Sequence, residues 1–517
     1  MAGLDDRVHV AAGIVAAVAL LVYARTLLPG IAFGDWGEMQ VQPTVLGIAH
    51  PTGYPSYILL ASLAELIPLG SVAFRSNLLS AVFVSLALAT AALIGIRLGV
   101  RPAVAAAAAL ALGGVGTIWA AATVAEVNPL HLLFAALLFH RALVWAERRA
   151  VRDLVLGGLL LGLAFGNHLL TVTIAPFIVA FVVWAGRREL LARPWLLGVA
   201  VASLALGLAV YLYIPIRAVQ NPPLAYNHPV TLDGVVWLVT GTQFRGQFDF
   251  FSPRGPGQFV AALPSVAALL SARATPLLPI LGVTGLAVLV RRRPAVAVLL
   301  IGVLLGGIYA YANYLRLEHY LLVPWLVLGI GAAVALERLA LALDGAFASA
   351  GARVRSPAAP RIPTRGIVAA ATVCFAVALA VANGPAADRS RDRSGDEYVA
   401  AVVAALPRDA VILSEWDVST PLWYAQLVER RRADVLVIDD SNIVYDGWGT
   451  RESAIAAFVC ERPVFILRLD DASLAPARSA FLVDPFITVR VGVGGPTAVA
   501  TRTIYRVRPA PGHACPP

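Results

Sequence analysis

The sequence contains no lysine, few charged residues of either sign and only 3 cysteines in 517 residues. Charged residues amount to 14% of the chain, against roughly 25% in a soluble globular domain. The cysteines form no CxxC pair and no metal-ligand spacing, which argues against a zinc-stabilised or redox-active fold. Arginine therefore supplies the whole basic excess of a formal net charge of +9. Because the arginines lie between apolar blocks, membrane topology explains them better than nucleic-acid binding, and no nucleic-acid partner is expected.

Long apolar blocks are abundant. Hydrophobic residues make up 59% of the chain, and the mean hydropathy is +0.78. A membrane-spanning helix needs about 20 mostly apolar residues, and about eleven blocks qualify. The first block lacks a small-residue cleavage site after it, so we expect a retained span rather than a cleaved signal peptide. The predicted spans begin near Val10, Leu78, Pro102, Leu130, Leu154, Leu169, Leu196, Thr275, Pro294, Tyr320 and Ile367.

The arginines also predict the orientation of the chain. If the N-terminus is cytoplasmic and the spans alternate, every short arginine-rich loop falls on the cytoplasmic side, as the positive-inside rule requires. The segments with unusual polar residues then fall on the outer side of a bacterial-type plasma membrane, which is the expected working face. The predicted cytoplasmic arginines are Arg97, Arg101, Arg148, Arg149, Arg152, Arg187, Arg188, Arg193, Arg291, Arg292, Arg293, Arg338, Arg353, Arg355, Arg361 and Arg365.

We expect three regions along the chain. An α-helical polytopic membrane domain covers residues 1–384, and its first extracytoplasmic loop covers 29–76. A short apolar segment inside that loop, 57–69, is predicted to be an interfacial or re-entrant helix, since about 10–14 residues are too few to span. A charged linker at 385–397 leads to an extracytoplasmic α/β domain at 398–517.

The α/β domain is predicted from alternating strand-like and helix-like segments. No GxGxxG motif or P-loop marks a nucleotide site there, so its expected role is structural or acceptor docking. Cys460 and Cys515 lie in this region and either pair with each other or remain free thiols. The predicted strands are 410–414, 434–439 and 463–469, and the predicted helices are 422–430 and 453–459.

Two carboxylates in the first loop are the main catalytic candidates. Asp35 and Glu38 lie three residues apart, so they share one face if a helix begins here. Carboxylates beside a membrane are costly and are usually functional or paired. One of them can act as a general base for an acceptor hydroxyl. The structural alternative is a capping box, with Asp35 as N-cap and Glu38 at N3.

Further polar residues follow in the same loop. His50 and Tyr54 lie in a turn made rigid by two prolines and a glycine. His50 can contact a phosphate or polarise a donor, or it can simply satisfy a backbone carbonyl. Arg75 and Asn77 open the next span, where they can contact a lipid headgroup or serve as a snorkelling arginine and a helix cap.

Other candidate substrate-binding residues come from later loops on the same predicted face. Arginine offers bidentate geometry for a lipid phosphate. Arg217 and Arg316 are exceptions to the arginine asymmetry, which favours a phosphate contact, although interfacial anchoring explains them equally well. The candidates from these loops are Glu126, His131, Asn167, His168, Arg217, Arg316 and His319.

The order of these motifs resembles one membrane family. Its members share a D-x-x-E first loop, then H-P-P-G-Y-P, then a span that begins N-x-x-S-A. The family includes the animal O-mannosyltransferase of plexin-type receptor domains and bacterial relatives, and the resemblance covers roughly the first 230 residues. Residues 126–131 and 166–168 look like second and third family motifs. The matching residues of the first motif are Asp35, Glu38, His50, Pro51, Gly53, Tyr54, Pro55, Asn77, Ser80 and Ala81.

The resemblance implies a GT-C fold and a glycosyltransferase. Such an enzyme moves a sugar, here a hexose such as mannose, from a polyprenyl-phosphate donor to a protein or glycolipid hydroxyl outside the cytoplasm. By motif position, Asp35 is the implied base and Glu38 assists it. Thr52 replaces the second proline of the family motif, and Asn128 replaces an aromatic residue of the second motif.

Two other functions stay open at this point. The chain can be a transporter or flippase for a lipid-linked glycan, although its ionisable residues cluster on one face and no paired broken helices are evident. It can also be a non-catalytic assembly protein. Neither the ligand spacing nor the resemblance decides whether a divalent metal takes part.

Overall fold

The structure is a computed structural model that describes residues 2–247, 254–353, 364–492 and 499–511. It consists of a large helical part followed by a small α/β domain. The helices of the first part are α1 (Ala2–Thr26), α2 (Gly34–Val45), α3 (Pro55–Ala64), α4 (Val72–Arg97), α5 (Pro102–Gly113), α6 (Gly116–Ala121), α7 (Val127–Arg148), α8 (Val151–Phe165), α9 (Thr171–Ala192), α10 (Trp195–Leu208), α11 (Tyr213–Ala218), α12 (Leu232–Val239), α13 (Gly255–Ala274), α14 (Leu277–Arg292), α15 (Pro294–Ala312), α16 (Leu322–Arg353) and α17 (Thr364–Ala387).

Each of the eleven predicted spans corresponds to a helix in the structure. Within the described residues, 8 helices are long and apolar enough to cross a membrane. Seven of them were predicted, namely α1, α4, α7, α10 with its continuation through α11, α15, α16 and α17. The remaining predicted spans, α5, α8, α9 and α14, fall short of that length or apolarity. The eighth helix, α13, lies in a segment that we expected to be extracytoplasmic.

The contacts of α13 join both of its ends to residues around the α15–α16 connection. Near its start, Phe259 packs against Tyr309 at the end of α15, with ring centroids 5.9 Å apart. At its end, Arg273 binds Glu318, just before α16, with hydrogen bonds of 2.7 and 2.8 Å. The segment that we expected to form a loop is therefore helical and packed against the bundle.

Small residues allow the helices of the bundle to pack closely. A Cβ atom on Gly285 of α14 would lie 1.8 Å from the carbonyl oxygen of Gly331 on α16. A Cβ on Gly162 of α8 would lie 2.5 Å from the carbonyl oxygen of Leu204 on α10. Such contacts are typical of membrane helices, where dispersion and close backbone approach replace the hydrophobic effect.

The C-terminal domain contains a 5-stranded sheet in the order β2-β1-β3-β5-β4. Strand β1 pairs in parallel with β2 and β3, and β5 pairs antiparallel with β3 and β4. The three predicted strands are confirmed, while the β4–β5 hairpin was not predicted. The elements are α18 (Ser394–Ala405), β1 (Val411–Ser414), α19 (Trp416–Trp423), β2 (Leu436–Asp439), α20 (Arg451–Phe458), β3 (Val464–Leu467), α21 (Ala475–Ala480), β4 (Phe481–Gly492) and β5 (Val499–Pro509).

The α/β domain packs directly onto the first loop of the membrane domain. Helix α19 lies against α2, where a Cβ on Gly37 would come 2.6 Å from the Thr420 hydroxyl. The Tyr424 hydroxyl accepts a hydrogen bond of 2.9 Å from the amide of Ala73 at the start of α4. The two domains therefore share a tight interface around α2. Cys515, Arg355 and Arg361 lie outside the described residues, so the pairing of Cys460 with Cys515 stays a prediction.

Asn77 joins three segments around that interface. Its amide group donates to the Leu28 carbonyl at 2.7 Å. Its carbonyl oxygen accepts from Gln40 at 3.0 Å and from the Ala125 amide at 2.7 Å. The side chain is fully buried, so its predicted role as a cap or headgroup contact gives way to that of an internal bridge.

We expect Asn77→Ala to lower the free energy of unfolding by about 2–3 kcal/mol, because it leaves buried donors and acceptors unpaired. Thermal unfolding in detergent, followed by tryptophan fluorescence, measures this loss. The matched control is Ser85→Ala on the same helix, since the buried Ser85 hydroxyl has no hydrogen-bond partner among the described residues. Equal unfolding midpoints for the two variants would contradict the bridging role.

Candidate active site

The two first-loop carboxylates lie at the start of α2. The helix begins at Gly34, and Phe33 is its N-cap without a side-chain cap. The capping-box interpretation is therefore wrong. Asp35 is exposed and Glu38 is 1% exposed, so the two carboxylates have different environments although they lie close together.

Glu38 ties the beginning of α2 to the turn at His50. Its Oε1 accepts a hydrogen bond of 2.9 Å from the His50 backbone amide. Its Oε2 contacts Nδ1 of the His50 ring. The side-chain amide of Gln42 also donates to Oε1, at 3.3 Å. The His50 ring therefore binds a carboxylate rather than the backbone carbonyl that we considered as an alternative.

The charge of His50 follows from this pairing. Burial disfavours the imidazolium form, but the charges of Glu38 and Asp35 and the hydrogen bond to Glu38 outweigh it and raise the pKa of His50 to about 9. At neutral pH the ring is therefore a cation with two N–H donors. Nε2 lies 3.0 Å from the Tyr54 hydroxyl, which in turn donates to the Pro51 carbonyl at 3.0 Å.

Glu126 brings a third carboxylate to the site formed by Asp35, Glu38 and His50. It is the N-cap of α7, and its Oε1 accepts from the Val127 amide at 3.1 Å and from Asn128 at 2.9 Å. Its Oε2 accepts from the indole of Trp36 at 3.2 Å and lies 3.9 Å from His319 Nδ1. Trp36, which follows Asp35, therefore links the first loop to the second family motif at residues 126–131.

Aromatic and imidazole rings extend the cluster into the bundle. His168 lies 5.7 Å from His131, 5.9 Å from Tyr54 and 5.9 Å from Tyr320, measured between ring centroids. Three buried polar atoms in this region have no hydrogen-bond partner within the described part of the chain. They are His131 Nδ1, Asn128 Oδ1 and Asn167 Oδ1. Buried polar groups without partners are rare in proteins, so these atoms are candidates for ligand contacts.

Two of the predicted cationic site residues make their described side-chain contacts elsewhere, and a third is exposed. Arg75 donates to the Gly70 carbonyl at 2.8 Å. Arg217 donates to the carbonyl oxygens of Leu46 at 2.7 Å and Val45 at 3.1 Å, and so caps the end of α2. Arg316 is exposed in the α15–α16 connection. Another predicted phosphate contact, His319, lies beside Glu126, with 3.9 Å between His319 Nδ1 and Glu126 Oε2.

Two residues of the site come from the α/β domain and were not predicted. The indole of Trp416 donates to Asp35 Oδ1 at 2.8 Å, and its ring lies 5.9 Å from His50. Burial and the neighbouring Asp35 and Glu415 raise the pKa of Asp417 to about 6. No signal near Asp35 could have revealed either residue, because they follow it by more than 380 positions.

The ligand atoms of Asp35, Glu38 and His50 all lie within 4.8 Å of one another, and such a group can hold a divalent cation. Two carboxylates and an imidazole suit a first-row transition metal. The arrangement also fits a direct Glu38–His50 ion pair, since the two charges compensate each other without an ion.

Comparisons with known proteins agree with the resemblance. Residues 35–191 match the family model of the protein O-mannosyl-transferase TMEM260 N-terminal domain. Protein O-mannosyl-transferase TMEM260 of Mus musculus is 31% identical over 247 residues, which are 46% of this chain and 34% of the mouse protein. The chain thus aligns with about a third of the length of that relative. The resemblance to this glycosyltransferase family is confirmed over the aligned region.

Solved structures show the fold over almost the whole chain. ArnT from Cupriavidus metallidurans, bound to undecaprenyl phosphate, matches with a TM-score of 0.62 at 14% identity, covering 95% of this chain and 97% of ArnT. Apo ArnT matches with a TM-score of 0.55 at 13% identity and the same coverage of both chains. The chain therefore has the GT-C fold, and with its apolar helices it is an integral membrane protein.

The Glu38–His50 pair is expected to stabilise the first loop far more than a surface pair would. Removing one partner of a buried ion pair costs roughly 3–5 kcal/mol, whereas an exposed pair contributes about 0–1 kcal/mol. We therefore expect Glu38→Ala to lower the unfolding midpoint strongly. The control is Glu147→Ala, which removes the exposed partner of Arg97. Similar midpoints for both variants would show that Glu38 does not organise the loop.

Proposed function

We propose that this chain is a glycosyltransferase that moves a hexose such as mannose from a polyprenyl-phosphate donor to a hydroxyl of a protein or glycolipid outside the cytoplasm. The observation that carries the proposal is the exposed carboxylate of Asp35 above a buried polar cluster in a GT-C fold. The similarity to an O-mannosyl-transferase over 247 residues supports the choice of sugar.

On the acceptor side, Asp35 serves as the general base. The oxygen of the acceptor hydroxyl attacks the anomeric carbon of the donor sugar. The hydroxyl proton passes to the Asp35 carboxylate, and the bond between the anomeric carbon and the phosphate oxygen breaks, with its electron pair leaving on the phosphate. The exposure of Asp35 suits this role, because the acceptor arrives from water.

On the donor side, the cluster supplies charge and hydrogen bonds. The His50 cation and His319 lie where a lipid phosphate can approach Asp35 from the membrane. The unpartnered atoms of Asn128, Asn167 and His131 are available for sugar hydroxyls. A charged leaving group gains from fixed positive charge in a partly buried site, which is the main way such sites lower a barrier. Arg316 remains a proposed phosphate contact, whereas Arg217 is occupied by the carbonyls at the end of α2.

A divalent cation is compatible with this site. Asp35, Glu38 and His50 would hold it only with the His50 ring deprotonated, and it would then supply the positive charge that the His50 imidazolium supplies otherwise. The proton transfer to Asp35 is proposed for the site with His50 protonated.

We expect Asp35→Asn to reduce sugar transfer by at least about a hundredfold, because the amide cannot accept the hydroxyl proton. The measurement is transfer of radiolabelled hexose from polyprenyl-phosphate donors to membrane proteins and lipids, at equal expression of each variant. Asp484→Asn is the matched control, since Asp484 pairs with Arg508 on the exposed β4–β5 hairpin.

The outcomes separate the candidate functions. Loss of transfer in Asp35→Asn but not in Asp484→Asn supports Asp35 as the general base. The labelled product then identifies the class of acceptor. Undiminished transfer in Asp35→Asn removes Asp35 from the reaction. No transfer by the wild-type protein with any donor contradicts the enzyme and favours the flippase or assembly functions.

A further inference from the structure

The α/β domain touches the reacting carboxylate. We propose that Trp416 is a positioning residue, which holds Asp35 in the orientation needed for transfer and makes the α/β domain part of the active site. This inference rests on the proposed role of Asp35 as the base, and it assigns the domain a function beyond structure or acceptor docking.

The contact itself is specific. The Trp416 indole N–H donates to Asp35 Oδ1 at 2.8 Å, which is the length of a charge-assisted hydrogen bond. The same ring stands nearly perpendicular to the His50 ring, at 82° and 5.9 Å. Trp416 therefore contacts both the proposed base and the cation beside it. Asp35 Oδ2 has no hydrogen bond among the described residues, so it is free to receive the proton.

Trp416 is held by a rigid support. It is the first residue of α19, and it follows β1, which is hydrogen-bonded on both sides by β2 and β3. Its ring also packs against Tyr226 at 5.9 Å and Trp423 at 5.8 Å. A donor on a helix that starts directly from a sheet strand has little freedom to move, which is the requirement for positioning another side chain.

The surface of α2 is shaped to receive α19. Gly34 has a φ of +58° and would bring a Cβ to 2.5 Å from the Asp417 carboxylate. Gly37 allows Thr420 to approach in the same way. A side chain at either position would push α19 away from Asp35, so these two glycines keep the donor within hydrogen-bonding distance.

The need for a donor follows from the exposure of Asp35. An exposed aspartate samples several rotamers in water, and most of them point away from an incoming hydroxyl. A hydrogen bond to Oδ1 selects one of these rotamers before the acceptor arrives. Misplacement of a reacting group by about 1 Å can cost roughly a hundredfold in rate, so the loss of this donor should act on turnover rather than on donor binding.

A purely structural role is the alternative, in which Trp416 only helps to dock the α/β domain. The two roles differ in what a minimal substitution changes. Trp416→Phe keeps an aromatic ring and removes the N–H. Trp448→Phe makes the same change in the same domain, at a residue whose described ring contact is to Phe458, at 5.0 Å, and not to Trp416 or Asp35.

The test measures turnover number and donor KM for wild type, Trp416→Phe, Trp448→Phe and Asp35→Asn. It also measures the unfolding midpoints of Trp416→Phe, Trp448→Phe, Asp35→Ala and the double variant Trp416→Phe/Asp35→Ala. We expect Trp416→Phe to lower kcat by roughly ten- to a hundredfold with an unchanged donor KM. We also expect the stability effects of Trp416→Phe and Asp35→Ala to be non-additive, because each removes the same hydrogen bond.

Each outcome bears on a different claim. Wild-type kcat in Trp416→Phe, with Asp35→Asn inactive, overturns the positioning role and leaves the proposed function standing. Equal loss of kcat in Trp416→Phe and Trp448→Phe, with additive stability effects of Trp416→Phe and Asp35→Ala, also overturns it in favour of docking. Full transfer by Asp35→Asn overturns the role of Asp35 as general base, and the positioning role of Trp416 falls with it. Non-additive stability effects would in that case still support the hydrogen bond between Trp416 and Asp35.

Discussion

The buried carboxylate of Glu38 is the constraint on which the arrangement of the site depends. A carboxylate away from water must be paired, and Glu38 is satisfied by the backbone and the ring of His50. This pairing folds the first loop back on α2. Ile48 can then bond to the segment between α11 and α12, through the Leu224 carbonyl and the Tyr226 amide, at 2.9 Å each. Asp35, one turn before Glu38 on the same face of α2, is left open to solvent.

The same loop connects the membrane bundle with the α/β domain. Its buried residues Glu38 and Gln40 bind residues of the loop and of α4. Asp35, next to Glu38 on the same face of α2, is exposed and lies beside Trp416 of α19. The start of α2 therefore joins the polar groups of the bundle to the α/β domain. In the proposed reaction the donor would arrive from the membrane on one side of this helix and the acceptor from water.

Much of this could be predicted from local sequence. Apolar blocks predicted the helices, and alternating buried segments predicted β1, β2 and β3, since both signals are periodic and short in range. The β4–β5 hairpin was missed because β4 contains Asp484 and Pro485 and alternates weakly. Helix α13 is as apolar as a span but was expected to be part of a loop, and its contacts with Tyr309 and Glu318 have no signal in the local sequence. Sequence spacing likewise could not show that Arg217 faces backbone carbonyls or that Trp416 reaches Asp35.

The central claim is that Asp35 acts on a sugar carried by a polyprenyl phosphate. The most direct measurement is a cryo-electron microscopy structure of the full chain in a lipid nanodisc with a polyprenyl-phosphate hexose. The account predicts the phosphate beside His50 and His319, with the anomeric carbon positioned so that an acceptor oxygen can lie about 3–3.5 Å from it and within hydrogen-bonding distance of Asp35. A sugar bound on the cytoplasmic side, or beyond the reach of Asp35 with Trp416 in place, would contradict it.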